Sequence, residues 1–505
     1  MVPKSLSTMA VLTAAVVAVA LGGCGHDQRP QPPTKPPTSS ALATSATDFA
    51  ATLQKHVIGD AMMTHLRKLQ EIADAHDGNR ALGTPGYDAS VDYVANALRD
   101  KGFDVQTPEF DVRLPFADDP VLTVGADKVA AKPLEFTIGT PPDGVSGPLV
   151  PARTEDTPGC TASDYDGLPV KGAIVLVDRG ACQFGVKQTM AAERGAVALI
   201  VANNEDGDEM GGTLGKDTDV KIPVISVTKA AGATLRAHPA NTTINLNAGV
   251  RAERTRNVIA QTKTGSTANV VMVGAHLDSV PAGPGIEDNG SGIAAILEIA
   301  LQLGNSPQVN NAVRFGFWGA EEEGLLGSGN YVESLNVDQL KDIALYLNFD
   351  MLGSPNPGYF TYDGDQSAPP TPNHGVPRVP EGSAGIERTL AAYLQRAGKP
   401  PQDTSFDGRS DYDSFTMAGV PAGGLFSGAE EKMSPEQAKL WGGQADKPFD
   451  PNYHKASDTL DHIDKGALEI HGGGAAYAVG LYAQDQSGRN GVPVRDDRTR
   501  HVPSS

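Results

Sequence analysis

Cysteine, basic charge and long apolar runs are all scarce in this chain of 505 residues, and each shortage narrows what it can be. Three cysteines are too few for a disulfide-dense scaffold. With 41 Lys and Arg against 61 Asp and Glu, the formal charge is −20. That balance argues against nucleic acid as a partner and offers no basic patch for anionic lipid. The apolar run at the N-terminus, Met9 to Leu21, has 13 residues, too short for an ordinary membrane span and typical of a signal-peptide core.

That run follows Lys4 and ends in Leu21-Gly-Gly-Cys24, which resembles a bacterial lipobox. The resemblance implies a lipoprotein signal peptide over residues 1–24, with Cys24 lipidated after cleavage; the alternative is a cleaved secretory peptide with an incidental cysteine. Residues 25–45, rich in Pro, Ser and Thr, read as a disordered tether. The protein is then exported and held to the outer face of the cell membrane through the lipid alone.

What the chain does have is a set of metal-binding residue types at the ends of apolar, strand-like runs. Val270 to Ala275, Val313 to Gly319 and Ala344 to Phe349 read as buried parallel strands of an α/β sheet. They lead into His276, into Glu321 and Glu322, and into Asp350. In open α/β sheets the site lies beyond the carboxyl ends of the strands, so these runs deliver their side chains to one edge. Asp278 follows His276, Asp288 opens a Gly-rich turn into a helix expected over 293–303, and His454 follows Tyr453. Two histidines and three carboxylates can hold two zinc ions with one carboxylate left as a base. Asp288 is the natural bridge, and Asp278 suits a role in orienting the His276 imidazole. Each motif alone means little; the ordered set carries the reading.

The segments His276-Leu-Asp278, Asp288-Asn-Gly-Ser-Gly292, Gly319-Ala-Glu-Glu322, Asn348-Phe-Asp350 and Tyr453-His454 resemble, in order, those of the M28 family of two-zinc aminopeptidases. The resemblance implies one zinc on His276 and Asp350, the other on Glu322 and His454, and Asp288 between them. Glu321 would be the general base acting on a zinc-activated water, and the Tyr453 phenol would stabilise the oxyanion. Glu323 reads as a solvated side chain. Arg409, in Gly408-Arg-Ser-Asp-Tyr-Asp-Ser-Phe415, either contacts substrate or pairs with an acid such as Asp411 or Asp413. Related secreted enzymes often carry a cysteine on each side of the last histidine, where this chain has Asn452 and Ser457. That departure puts loop rigidity in doubt and leaves the ligand set intact.

Length suggests two or three domains. Gly172 to Gly180, a helix over 184–194 and Gly195 to Asn204 form a strand, helix, strand unit without a catalytic cluster. With Cys182-Gln-Phe184 and Ile222 to Val227 it resembles a protease-associated domain inserted into the peptidase. Cys160 and Cys182 enclose a loop of about 20 residues, and a disulfide there would contribute roughly 3 kcal/mol. The expected fold is an α/β zinc-peptidase (phosphorylase/hydrolase-like) mixed sheet sandwiched by helices. Its domain parts are 46–117 and 251–486, around an insertion at 118–250, with a disordered tail over 487–505. The activity so implied is release of N-terminal amino acids from peptides with a free N-terminus. A zinc carboxypeptidase or dipeptidase, a glutaminyl cyclase on the same fold, and a catalytically silent peptide-binding lipoprotein are the alternatives.

Overall fold

The computed structural model describes residues 39–154, 157–207, 211–368 and 379–503. Cys24 and residues 25–38 of the expected tether lie outside them. The main sheet has eight strands: β1 Asp104–Gln106, β2 Val258–Gln261, β3 Ser266–His276, β4 Asn311–Trp318, β5 Ile343–Phe349, β6 Phe360–Tyr362, β7 Gln402–Thr404 and β8 Ala422–Phe426. Their spatial order is β1-β2-β4-β3-β5-β8-β6-β7. β3 runs parallel to both β4 and β5, and β8 continues parallel beside β5. Edge strands β1 and β2 pair antiparallel, and β6 is antiparallel to β8. All of β5, and β3 from Val270 onward, is buried. Cover on both faces is why these strands read as unbroken apolar runs rather than as alternation.

Helices Gly59–Ala75, Pro85–Asp100, Gly292–Leu303, Ser383–Arg396 and Lys465–Gln484 bury one face of the sheet through Leu66, Leu98, Ile296, Leu390 and Val479. On the other face, Val332, Leu340 and Phe415 pack with Trp318 and Tyr346. Helix Gly292–Leu303 has almost no polar side; its one acid, Glu298, is satisfied by His65 Nε2 at 3.0 Å and Gln302 Nε2 at 2.7 Å. In helix Lys465–Gln484 the run Gly472-Gly-Gly474 lets the backbone lie against Met62, Tyr393 and Leu425, where any Cβ would come within 2.7 Å of a neighbouring side chain. Helix Pro85–Asp100 begins earlier than apolar periodicity from Ser90 suggests. Thr84 caps it by accepting from the Tyr87 N–H at 3.3 Å, and Pro85 occupies the first turn.

An antiparallel ribbon, Glu109–Ala117 against Ala248–Arg256, carries the chain out of the domain of the main sheet and back. Between its strands lies a second eight-stranded sheet running in sequence from Val121 to Asn245. Its centre is parallel, Val145–Pro151, Ile174–Asp178, Ala198–Ala202 and Val224–Val227, with helix Phe184–Glu193 between the second and third. Cys160 and Cys182 are joined by a disulfide, their Cα atoms 5.9 Å apart.

Two expectations of disorder need correction. Helix Ser39–His56 starts inside the stretch read as tether, and Ala50 and Leu53 bury against the rest of the helical layer. The C-terminal tail is also structured as far as residue 503, where two of its arginines donate to main-chain carbonyls at and beside a helix end. Arg500 donates to the carbonyls of Leu340, Ile343 and Gly419, and Arg498 to those of Lys341 and Ala268. Leu340 and Lys341 belong to the last turn of helix Val337–Asp342. Polar composition alone hid this, since a buried arginine and a solvated one look the same in sequence. Replacing Arg500 with Ala should remove a buried donor shared by several carbonyls and cost about 2 kcal/mol or more. A thermal unfolding midpoint equal to the parent's would show that the tail contributes nothing.

Candidate metal centre

The ligand-type side chains arrive where the strands end. β3 finishes at His276, the turn after β4 presents Glu321 and Glu322, and β5 is followed by Asp350. The turns are tight: Ala320, Met351 and His454 all take positive φ, at 59°, 53° and 57°, a conformation costly to residues with a side chain. Asp288 enters from the segment before helix Gly292–Leu303, and its peptide bond to Asn289 is cis.

Asp288 occupies the middle. Its Oδ1 is 3.1 Å from His276 Nε2, and its Oδ2 is 3.1 Å from His454 Nε2. His276 Nε2 also lies 3.4 Å from Asp350 Oδ1, and His454 Nε2 is 3.1 Å from Glu322 Oε2. Two trios therefore share one carboxylate: His276, Asp288 and Asp350 on one side, Asp288, Glu322 and His454 on the other, each with ligand atoms within 4.8 Å of one another. Glu322 Oε1 and Asp350 Oδ1 are buried without any hydrogen-bond partner. Orphaned oxygens on carboxylates that approach imidazole nitrogens fit a cation, and the mix of nitrogen and oxygen donors suits zinc.

The supports of this cluster are only partly those expected. His276 Nδ1 faces the main-chain carbonyl of Asp278 at 3.1 Å. The Asp278 carboxylate, expected to orient the imidazole, lies 3.8 Å from the same Nδ1 and accepts its hydrogen bonds from the N–H groups of Glu321 and Glu322 at 3.2 Å each. It thus fixes the turn that carries both glutamates. Asp458 does the same for the Asp288 segment, accepting from the Glu287 N–H at 2.8 Å and the Asp288 N–H at 3.1 Å. Ser410 donates to Asp350 Oδ2 at 2.6 Å. Beneath the loop between His276 and Asp288, the fully buried Arg80 guanidinium donates to the carbonyls of Leu277, Pro284 and Gly285. Asp458 and Arg80 were not singled out by the sequence, and Ser410 lies in the segment Gly408 to Phe415 without its own role being visible there.

Arg409 pairs with neither Asp411 nor Asp413. It reaches Glu430 at 2.9 Å and Glu431 at 3.3 Å, two acids nearby at the mouth of the cleft, and also lies 3.3 Å from the Tyr453 hydroxyl. The Tyr453 ring stacks on His454, centroids 3.8 Å apart. Glu323 is exposed, as expected. The cleft over the cluster has a volume of about 560 Å³ and an apolar wall that includes Met351, Phe360, Phe426 and Phe449.

So much buried acid perturbs every proton in the site. Burial opposes charge on His276, yet Glu321, Asp350 and the bond to Asp288 outweigh it and raise its pKa well above the ordinary value. For His454, burial is likewise outweighed by its bonds to Asp288 and Glu322, which raise it to about 10. Burial would raise Asp288, but its two histidine partners hold it below the usual carboxylate range. Glu322 is pushed up to about 7 by burial and by Asp288.

A mixed sheet whose strand ends gather two histidines and several carboxylates defines a metal-dependent peptidase architecture. The family model Peptidase family M28 matches residues 257–479, and the PA domain model matches residues 145–235. The chain is 65% identical to a probable lipoprotein aminopeptidase, LpqL, of Mycobacterium tuberculosis, over 99% of each chain. It is 42% identical to leucine aminopeptidase 2 of Arthroderma otae, over 86% of this chain and 85% of that one. Among solved structures, an aminopeptidase from Aneurinibacillus sp. strain AM-1 superposes with a TM-score of 0.66 at 27% identity, covering 86% of this chain and 95% of that chain. A zinc aminopeptidase from Bacillus subtilis gives 0.58 at 26%, covering 84% and 94%. The chain belongs to Peptidase family M28 and carries an inserted PA domain.

In the metal-free protein both imidazoles hold protons that a metal must displace. Loading with zinc at pH 7 should therefore release at least about two protons per chain, one from each histidine. Calorimetry in buffers of different ionisation enthalpy measures this, and zinc uptake without proton release would contradict the charged histidines.

Proposed function

We propose that this protein is an exported, lipid-anchored enzyme that removes N-terminal residues from peptides at a two-zinc centre, with Glu321 as general base. The chain is a zinc-dependent aminopeptidase of family M28. The observation that carries the finer reading is the Asp288 carboxylate turning one oxygen to each histidine at 3.1 Å, which divides the ligands into two sets. One set is His276 and Asp350, the other Glu322 and His454. When bound, the metal pair supplies Lewis acidity, which activates water and polarises the scissile carbonyl.

The chain's own residues account for the rest. Glu321 is 8% exposed and its Oε2 lies 3.9 Å from His276 Nε2, beside the cluster without sharing a histidine as closely as Asp288 does. It takes a proton from water and returns it to the leaving amine. Adjacent Glu322 points to the other histidine, so the two neighbours divide base and ligand duties. Burial holds the Tyr453 phenol well above its ordinary pKa, so the hydroxyl stays protonated and able to donate to a developing oxyanion. The guanidinium of Arg409 donates to that same hydroxyl and strengthens it as a donor. A free α-amine, cationic at neutral pH, meets Glu321 and Asp350. The wall of Met351, Phe360, Phe426 and Phe449 suits an apolar first side chain.

A carboxypeptidase reading would need a free cation for a terminal carboxylate. The cations lining the cleft, among the described residues, are Arg409 and Lys432, and Arg409 is already held between two glutamates. That arrangement favours amine over carboxylate recognition. The lipid anchor rests on Cys24, outside the described residues, and on the resemblance to a lipoprotein.

Glu321→Gln should keep its zinc and lose kcat by about two orders of magnitude or more. The measurement is hydrolysis of aminoacyl p-nitroanilides, alongside N-blocked and C-terminal substrates, with chelation and zinc add-back. Undiminished kcat in Glu321→Gln would remove the base assignment. Asp288→Ala should bind less metal in total, and full occupancy by two zinc ions would refute the bridge.

A further inference from the structure

A line of buried polar side chains joins the end of β4 to Asp350. Trp318 Nε1 donates to the Tyr346 hydroxyl at 2.9 Å, and that hydroxyl donates to Asn348 Oδ1 at 3.0 Å. Asn348 Nδ2 donates to Ser410 Oγ at 2.8 Å, and Ser410 donates to Asp350 Oδ2 at 2.6 Å. Trp318, Tyr346, Asn348 and Ser410 are all buried. Tyr346 and Asn348 stand two apart on β5 and so share one face of the sheet, the face on which Phe415 packs. β3 lies between β4 and β5, so the first bond has to cross it. It crosses at Gly274, where a Cβ would run into both the Tyr346 hydroxyl and Trp318 Nε1. The glycine leaves open the space that the bond occupies.

The chemistry of these groups sets the direction of the whole line. An indole N–H only donates, so the Tyr346 oxygen accepts from it and the single phenolic proton goes elsewhere. Asp411 also faces Tyr346, but both of its carboxyl oxygens lack a hydrogen-bond partner, so the proton is not given there. Its acceptor is Asn348 Oδ1, which turns the amide so that Nδ2 meets Ser410. Ser410 therefore accepts from Asn348 and has its own proton for Asp350 Oδ2. The Tyr362 hydroxyl faces Asn348 and Ser410 as well, and a further hydrogen bond donated by it leaves that direction unchanged. With Oδ2 occupied, Asp350 presents Oδ1, which has no hydrogen-bond partner and lies 3.4 Å from His276 Nε2.

We propose that Trp318, Tyr346 and Asn348 are positioning residues which, acting through Ser410, fix the oxygen that Asp350 offers to the metal on the His276 side. None of the three belongs to the clustered histidines and carboxylates. Their consequence for metal rests on the two-zinc reading above, whereas the direction of the line stands on the hydrogen bonds alone. Without the Tyr346 proton, nothing holds Asn348 Oδ1 away from Ser410. The amide is then free to turn over, and the Ser410 proton has two acceptors, Asn348 Oδ1 and Asp350 Oδ2, in place of one.

The test compares the full chain with Tyr346→Phe, Ser410→Ala and the double variant, with zinc affinity measured by competition against a fluorescent chelator. In Ser410→Ala one of the two zinc dissociation constants should rise about 10–100-fold and the other stay within about 2-fold of the parent. Tyr346→Phe should raise the same constant by about 3–10-fold. In the double variant Tyr346→Phe should add nothing to the effect of Ser410→Ala, because its influence passes through Ser410. Two effects that simply multiply, as for separate packing roles, would overturn the proposal, and so would an unchanged constant in Tyr346→Phe. A second readout needs no metal. The chain has two tryptophans, and the N–H of the other, Trp441, goes to the Pro400 carbonyl at 2.7 Å. In NMR spectra of the indole N–H groups of the metal-free chain, Ser410→Ala should shift the Trp318 signal and leave that of Trp441 in place. With Tyr346→Phe already present, Ser410→Ala should shift neither. A Trp318 signal indifferent to Ser410→Ala in the parent would overturn the line as a unit, and this comparison decides should Tyr346→Phe fail to fold. A parent that binds only one zinc would remove the two-metal reading by itself, whereas the indole signal reports on the line whatever the fate of that reading.

Discussion

The constraint on which this structure turns is the repulsion among buried carboxylates. Asp278, Glu287, Asp288, Glu321, Asp350, Asp411 and Asp458 are all buried in one region, against two histidines and a single guanidinium, that of Arg80. Such a group is stable only if each acid has a donor, a cation or a proton. Backbone N–H groups serve Asp278 and Asp458. Hydroxyls and the Gly353 N–H serve Glu287 Oε1. Asp288 has both imidazoles. Of the oxygens left without a hydrogen-bond partner, Glu322 Oε1 and Asp350 Oδ1 belong to the two trios, while Glu287 Oε2 and both oxygens of Asp411 lie outside them. The folded chain is thus arranged so that the binding of cations completes its internal charge balance.

Arg80 belongs to the same balance. Burial lowers its pKa to about 10, while Asp278, Asp458, Asp288 and Glu322 favour its charge, so it remains a cation at neutral pH. Its hydrogen bonds go to carbonyls and not to the acids, so the carboxylates stay free for metal. It clamps the loop from which Asp278 and Asp288 both depart. The loop's geometry and part of its compensating charge come from one side chain, contributed by the segment that precedes the inserted domain.

The central strands and the ligand types were legible in the sequence because burial on both faces makes the strands uniformly apolar, and a single polar residue after each run then stands out. His276, Glu321, Glu322 and Asp350 were visible for this reason. Asp458, Ser410 and Arg80 were not, because each is an ordinary polar residue whose partner lies tens to hundreds of positions away. The spacing of Asp278 from His276 did not reveal that the hydrogen bond to the imidazole goes to its backbone carbonyl, while its carboxylate, 3.8 Å away, accepts from the glutamate turn. Arg498 and Arg500 illustrate the reverse problem: a polar tail looks solvated until the carbonyls it serves are known.

The two-stranded ribbon of Glu109–Ala117 and Ala248–Arg256 has a consequence for how the protein comes into being. It divides the peptidase into an early piece, which holds Arg80, and a late piece, which holds the clustered histidines and carboxylates; the last of these is His454, and Asp458 secures the Asp288 segment only four positions later. A chain emerging from its N-terminus must complete the whole inserted domain before the clamp meets its loop, and must then extend almost to its end before the centre closes. Hydrolytic power is therefore acquired as a late event in the life of each molecule, and a chain truncated before residue 454 lacks one of the two histidines that flank Asp288.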